Sequence, residues 1–234
     1  VVLFKFIPSA ADGDGVVDKY GYNGASLWYQ MPHKIEVTEK LILLPDSGRG
    51  TIVKYSRTTP EEIRRIVLTY MNQGDFFLEN CCGWSTFGAI AKYYGYSGIG
   101  VDIWDVALKY SRLQSENIKN SATLEIIEMD GMALTFEDNK FDFLYCNPPF
   151  MDAEKYSGLT NDIATKNKEE FKAKFIKLLS ENMRVLKPGK LCVITINDMR
   201  DKSYLIPLGA LVIQWGLDVG FKLWDFVVAE CLGM

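Results

Sequence analysis

From Thr58 onward, short apolar runs alternate with helix-length segments, and this alternation restricts the fold more than any other feature. The runs are "FFLEN" from Phe76, "SGIGVDI" from Ser97, "LEIIEMD" from Leu124, "FDFLYC" from Phe141 and "KLCVITIND" from Lys190. Runs this short, apolar at consecutive positions, suit parallel strands buried on both faces. Between them lie segments of helical length: Thr86 to Tyr94, Trp104 to Ile118, Lys168 to Val185 and Tyr204 to Val219. "TTPEEIRRIVLTYM" carries a Thr cap, a Pro in the first turn and early glutamates, the marks of a helix start. "LKPGK" reads as a helix stop and turn before the last of these strands. The pattern predicts a doubly wound, mostly parallel α/β sheet, Rossmann-like, whose ligands lie at the carboxyl ends of the strands. Residues 1–57 are Gly-rich and irregular apart from Leu41 to Leu44, and read as an N-terminal extension to a folded domain at 58–234.

A chain of 234 residues, nearly half apolar, is long enough for one sizeable core and too apolar for disorder. No apolar run approaches membrane-spanning length, so no membrane partner is expected, and the opening "VVLFKFIPSA" is too short and plain for a signal peptide. Val1 in place of Met suggests that the true start is missing. The five cysteines are odd in number and lack Cys-x-x-Cys spacing, which fits reduced thiols in a cytoplasmic protein, bacterial or in a phage-infected host. His33 is the only histidine, which removes most imidazole-based metal sites and triads, and no metal is expected. The net charge of -4 excludes a general polyanion binder. Basic residues still gather at Lys54, Arg57, Arg64 and Arg65, and at Lys166, Lys168, Lys172, Lys174 and Lys177. The second set alternates with Glu169 and Glu170, so it is either a solvated helix face or a local rim for nucleic acid.

Four strand ends carry polar residues. "FDFLYC" runs into Asn147-Pro148-Pro149-Phe150, where two prolines can neither continue a helix nor donate to a central ladder. This is either a rigid exit turn or a rigid rim that holds an amide and backbone carbonyls toward a planar ligand, with Phe150 as a stacking surface. "FFLEN" runs into a turn with Gly83 before a helix opening at Ser85 or Thr86, a place where backbone N–H groups can approach a ligand. The turn is not Gly-x-Gly-x-x-Gly, so a dinucleotide is weakly supported. Asp102 ends the next strand and could accept both hydroxyls of a ribose, or simply favour a helix N-terminus. Asp130 ends the third and could accept from an exocyclic amine.

With these residues in this order, the segment from about Gly50 onward resembles the class I S-adenosylmethionine-dependent methyltransferases. More narrowly, it resembles the DNA amino-methyltransferases acting on adenine N6 or cytosine N4, including small phage enzymes and those of restriction-modification systems. "NPPF" matches that family's Asp/Asn/Ser-Pro-Pro-Tyr/Phe motif, and "YSGLTNDIATKNKEEF" and "INDMRDKSYLIPL" resemble the segments that follow it. The resemblance implies S-adenosylmethionine as cofactor and double-stranded DNA with a flipped base as partner. It places Glu79, Asn80, Cys81, Gly83 and Thr86 at the methionine portion of the cofactor, Asp102 at the ribose and Ile103 over the adenine. Asp130 would meet the adenine amine, with Gly131 and Met132 nearby, and Arg57 and Thr58 would sit near the cofactor carboxylate. Asn147, Pro148, Pro149 and Phe150 would be catalytic, and Tyr156, Ser157, Asn161 and Arg200 would contact the substrate. Two departures stand out. The family pattern at the first turn is close to Asp-Pro-Phe-x-Gly-x-Gly-Thr, whereas here Glu79-Asn80-Cys81-Cys82-Gly83-Trp84-Ser85-Thr86 loses the second glycine and gains Trp84. The chain also stops soon after "LWDFVVAE", so the family's last antiparallel strand is expected to be missing.

The implied chemistry suits the residue types. An exocyclic amine is a poor nucleophile because its lone pair is delocalised into the ring. If Asn147 Oδ1 and the Pro148 carbonyl accept its N–H bonds, the nitrogen is drawn toward tetrahedral geometry, a gain of orientation and electrostatics rather than of strong base. No cysteine precedes a proline, which argues against cytosine-C5 chemistry. Methylation of RNA bases or protein glutamine, and a catalytically weak cofactor-binding subunit, remain as alternatives.

Overall fold

The computed structural model describes residues 2–8, 27–28, 60–151, 157–201 and 203–229. Strands β1 (Val2–Pro8) and β2 (Leu27–Trp28) precede helix α1 (Pro60–Tyr70). The alternation then runs β3 (Phe76–Asn80), α2 (Thr86–Tyr93), β4 (Ser97–Asp102), α3 (Asp105–Asn117), β5 (Leu124–Glu128) and β6 (Phe141–Cys146). After it come α4 (Lys168–Val185), β7 (Leu186–Ile196), a hairpin of β8 (Met199–Asp201) and β9 (Tyr204–Ile206), α5 (Leu208–Val219) and β10 (Phe221–Ala229).

The main sheet has the order β2-β10-β1-β7-β6-β3-β4-β5. Strands β7, β6, β3, β4 and β5 are parallel neighbours. The chain winds outward from β3 through β4 to β5, then returns to the opposite side of β3 as β6. Connections therefore leave the carboxyl ends of β3 and β6 in opposite directions, which opens a crevice at this switch point.

The burial pattern explains why these runs became strands. Phe143, Tyr145, Leu191 and Val193 point into one core with Ile63, Ile66 and Val67 of α1 and Phe87 and Ile90 of α2. Leu144, Cys146, Cys192 and Ile194 point into the other, with Phe171, Phe175 and Leu178 of α4 and Val212 and Trp215 of α5. Period two thus fills both faces, and each fully buried large side chain contributes roughly 1.5–3 kcal/mol. Helix α4 has the boundaries its sequence predicts because its ends are well marked. The Asn167 side chain accepts from the Glu169 and Glu170 N–H groups at 3.0 and 3.1 Å, acids follow in the first turn, and Arg184 sits in the last.

Three expectations change. The helix expected from Tyr204 starts at Leu208, and Tyr204–Ile206 pairs with Met199–Asp201 instead. Pro207 accounts for this, since it pushes Ile206 out of the helical region, and the Gly209 N–H is satisfied by Asp198 Oδ1 at 2.9 Å. The "LKPGK" turn lies inside β7 as an irregularity: Phe141 pairs with Leu186 but Phe143 with Leu191, and Gly189 takes φ 75° in the extra loop. Finally, the N-terminal segment is not irregular throughout. Strand β1 lies antiparallel between β7 and β10, so the antiparallel position expected to be empty is filled from the start of the chain. The rest of residues 1–57, and Thr58, lie outside the described residues.

Candidate active site

The turn after β3 is conformationally costly. Cys81, Gly83 and Ser85 have φ of 58°, 49° and 52°, so two non-glycine residues are left-handed within five positions. Such residues cost on the order of 1–3 kcal/mol each and persist where surroundings fix them. Glu79 supplies much of that fixing. Its carboxyl, 3% exposed, accepts from Ser85 Oγ–H at 2.5 Å and from the Phe87 and Gly88 N–H groups at 3.2 and 3.0 Å. It thereby caps α2 from a neighbouring strand, while Ser85, whose side chain makes no cap, turns its hydroxyl to the same carboxyl. Burial pushes the Glu79 carboxyl up to about 8, against the pull of these three donors.

Asp102 fixes the other side of the turn. Its Oδ2 accepts from Gly83 N–H at 2.7 Å and its Oδ1 from Trp104 N–H at 2.9 Å. Burial raises this carboxyl too. At the end of β5, Asp130 accepts from the Met132 N–H at 2.8 Å through Oδ1 and from the Asn161 amide at 3.1 Å through Oδ2. Asn80 is wholly buried: its amide donates to the Gly131 carbonyl and to Asn182 Oδ1 at 3.1 and 2.7 Å. Gly131 is required here, because a Cβ would collide with the Asn80 side chain.

These groups surround one cleft of about 1050 Å³, counted out to its open mouth, at the switch point. Of the residues assigned from sequence, Glu79, Cys81, Gly83, Thr86, Asp102, Ile103, Asp130 and Gly131 line it, and so do Asn147, Pro148, Pro149, Phe150, Ser157 and Asn161. The pairing of Asn80 with Cys146 makes the two motifs neighbours across β3 and β6. Asn80, Met132 and Arg200 are not among the lining residues; Asn80 is buried and Arg200 is exposed on β8. Arg57, Thr58 and Tyr156 lie outside the described residues. Phe150 is 8% exposed and packs in the core, so it walls the cleft rather than offering a free stacking face. Ser157 and Asn161 are engaged with Asp162 and Asp130, and Asp162 is itself buried.

Sequence reading missed Trp104, Met129 and Tyr145, which also line the cleft. Trp84, noticed only as a departure, sits edge-on to Trp104 and Tyr110 at 5.7 and 5.3 Å between ring centroids. Its signal was its place directly after Gly83 in the turn. The described lining holds four carboxyl residues (Glu79, Asp102, Asp130 and Asp162) and neither lysine nor arginine. That set of acceptors, with aromatic walls, fits a ligand with hydroxyl and amine donors, as S-adenosylmethionine is. Among the described residues no cluster of His, Cys, Asp and Glu suits a metal ion, and no helix is long and apolar enough to cross a membrane.

A family profile described as a methyltransferase domain matches residues 78–194, half of the chain, from β3 into β7. The chain belongs to this family. Its fold is that of the class I methyltransferases, with S-adenosylmethionine as the cofactor. Over 126 residues the chain is 29% identical to a demethylmenaquinone methyltransferase of Staphylococcus carnosus, covering 53% of this chain and 43% of that one. A protein of the same name from Staphylococcus saprophyticus is 29% identical over 135 residues, 56% of this chain and 48% of that one. The match thus spans less than half the length of either relative. Among solved structures, the cyclase SpnF superposes with a TM-score of 0.51 over 70% of this chain and 57% of that one, at 16% identity. This last likeness is one of fold alone.

Proposed function

We propose that the methyltransferase acts on the exocyclic amino group of a planar base, foremost adenine N6 in DNA with the target base flipped out. One observation carries the reading: the Asn147-Pro148-Pro149 rim lines the same cleft as Glu79, Asp102 and Asp130, on the adjacent strand end. When bound, S-adenosylmethionine supplies an electrophilic methyl group. Asn147 Oδ1 and the Pro148 carbonyl accept the two N–H bonds of the acceptor amine and orient its lone pair into the cleft. Pro148 and Pro149 hold that rim rigid, and buried Phe150 and Tyr145 set the width of the slot. The described lining offers phosphates neither lysine nor arginine, so the nucleic-acid backbone rests against the exposed Lys166, Lys168 and Lys172 around the start of α4.

The likeness to the Staphylococcus proteins favours a second reading, methyl transfer to a quinol ring, which the aromatic walls also suit. Both are tested together. The purified protein is incubated with methyl-labelled S-adenosylmethionine and, separately, duplex DNA, RNA, a glutamine-bearing protein and demethylmenaquinol, and the products are identified by mass spectrometry. N6-methyladenine is expected. Label in N4-methylcytosine corrects the base alone, and label only in RNA, protein or quinol overturns the DNA reading. Cofactor binding without label anywhere points to a cofactor-binding subunit.

A further inference from the structure

Among the described residues of the loop that follows the catalytic rim, Asn161 reaches the cofactor side of the cleft. Residues 157–164 form a compact turn around Asp162. Its Oδ2 accepts from the Ser157 N–H at 3.0 Å, the Ser157 hydroxyl at 2.7 Å and the Gly158 N–H at 3.3 Å, and its Oδ1 accepts from the Ala164 N–H at 2.9 Å. Lys174 clamps the turn from α4, donating to the Thr160 and Asp162 carbonyls at 3.1 and 2.7 Å. Ile163 anchors it in the core, while Gly158, Leu159 and Thr160 are exposed. The turn therefore holds its own shape. Its connection to the end of β5 is the Asn161 amide on Asp130 Oδ2.

Asp130 is thereby held from two sides, by the Met132 N–H on one oxygen and Asn161 on the other. We propose that Asn161 is a positioning residue that couples the two halves of the site. Through Asp130 it senses whether the cofactor end of the cleft is filled, and it passes that state to the 157–164 turn bordering the acceptor end. A ligand that engages Asp130 and presses against Ser157 and Ile163 draws the turn down, so the cofactor binds first and the acceptor slot is completed afterwards. The inference rests on cofactor dependence and not on the identity of the acceptor.

The test needs no acceptor. Amide exchange of residues 157–164 is followed with and without S-adenosylhomocysteine in the wild type, Asn161→Ala and Asp130→Asn, with cofactor affinity read from Trp84 and Trp104 fluorescence. In the wild type the ligand should slow exchange in the turn by about tenfold or more, the scale of one hydrogen bond to a charged acceptor. Asn161→Ala should lose that ligand-induced slowing while still binding the ligand, and Asn161→Ala with Asp130→Asn should be no worse than the worse single variant. A merely structural role would instead speed exchange equally with and without ligand. Ligand-induced slowing that survives in Asn161→Ala overturns the proposal. Wild-type protein that fails to bind S-adenosylhomocysteine overturns the cofactor dependence on which it rests.

Discussion

Glu79→Gln separates the structural work of this carboxyl from its charge. With an ordinary value of 4.5 and a folded value of about 8, Glu79 keeps its proton in the folded protein across a window where the unfolded chain has lost it. The folded state binds more protons there, so stability is full below about pH 4.5 and falls as pH rises toward 8. The slope is about 1.4 kcal/mol per pH unit, and the loss over the window is on the order of 5 kcal/mol. That is a large part of the roughly 5–15 kcal/mol typical of a folded chain. With a urea dependence of about 3 kcal/mol per molar, the midpoint should drop by roughly 1.5 M between pH 5 and pH 8.

The glutamine cannot titrate. Its oxygen can keep the Phe87 N–H, but its NH₂ then faces the Gly88 N–H, which in the wild type donates to Oε2 at 3.0 Å. Leaving that N–H unmatched costs about 1–3 kcal/mol at low pH. The variant should therefore be less stable than the wild type at pH 5, cross it as pH rises, and be the more stable of the two at pH 8. Urea unfolding at four pH values, followed by circular dichroism and tryptophan fluorescence, checks this. Parallel profiles would mean that the three donors keep Glu79 ionised in the fold and that burial does not hold its proton.

Asn147→Ala should leave cofactor affinity nearly intact and slow methyl transfer by about two to four orders of magnitude, the scale of losing a transition-state acceptor; near-normal turnover would remove it from the mechanism. Asp102→Ala should weaken S-adenosylmethionine binding and also lower the melting temperature, since its carboxylate holds the Gly83 and Trp104 N–H groups; lost affinity at unchanged stability would show that those two bonds contribute little. Gly131→Ala should destabilise by roughly 1–3 kcal/mol, measured in urea, because the new Cβ must displace the buried Asn80 amide. Cys81 should react slowly with iodoacetamide at pH 8, since the neighbouring Cys146 thiol and desolvation at its half-buried place in the cleft hold the thiol well above its ordinary value; rapid labelling in the folded protein would contradict this.

What the sequence made legible follows the range of the forces involved. Strands β3, β4, β5 and β6 were readable because two-faced burial leaves an unbroken apolar run, and α4 because its cap and charges lie within its own ends. Strand β1 was not, since its partners lie around Ile194 and Phe226, far along the chain, and nothing in "VLFKFIP" names them. The start of α5 was misread although Pro207 was in plain view: the apolar run through "YLIPLGALVIQW" has helical spacing, and the restriction on the residue before proline outweighs it.

The site divides in the same way. Asp102, Asp130 and Asn147 stood out because each is a polar residue ending an apolar strand, and the switch point brings the ends of parallel strands together. Their partners did not stand out. Ser85 marked only where a helix could open, yet its left-handed backbone keeps its side chain from capping and Glu79, six residues earlier, performs that task. Asn161 read as a side chain free for a base edge, yet its amide is spent on Asp130, thirty-one residues back. Each side chain was identified by its type and place, but its function depends on which other strand end lies within 3 Å. A single sequence records the donors and acceptors of such a site without recording their pairing. The departure at Trp84 illustrates the consequence: read alone it weakens a glycine-rich cofactor turn, whereas in the fold its carbonyl takes the Gln114 amide and its ring closes the cleft beside Trp104.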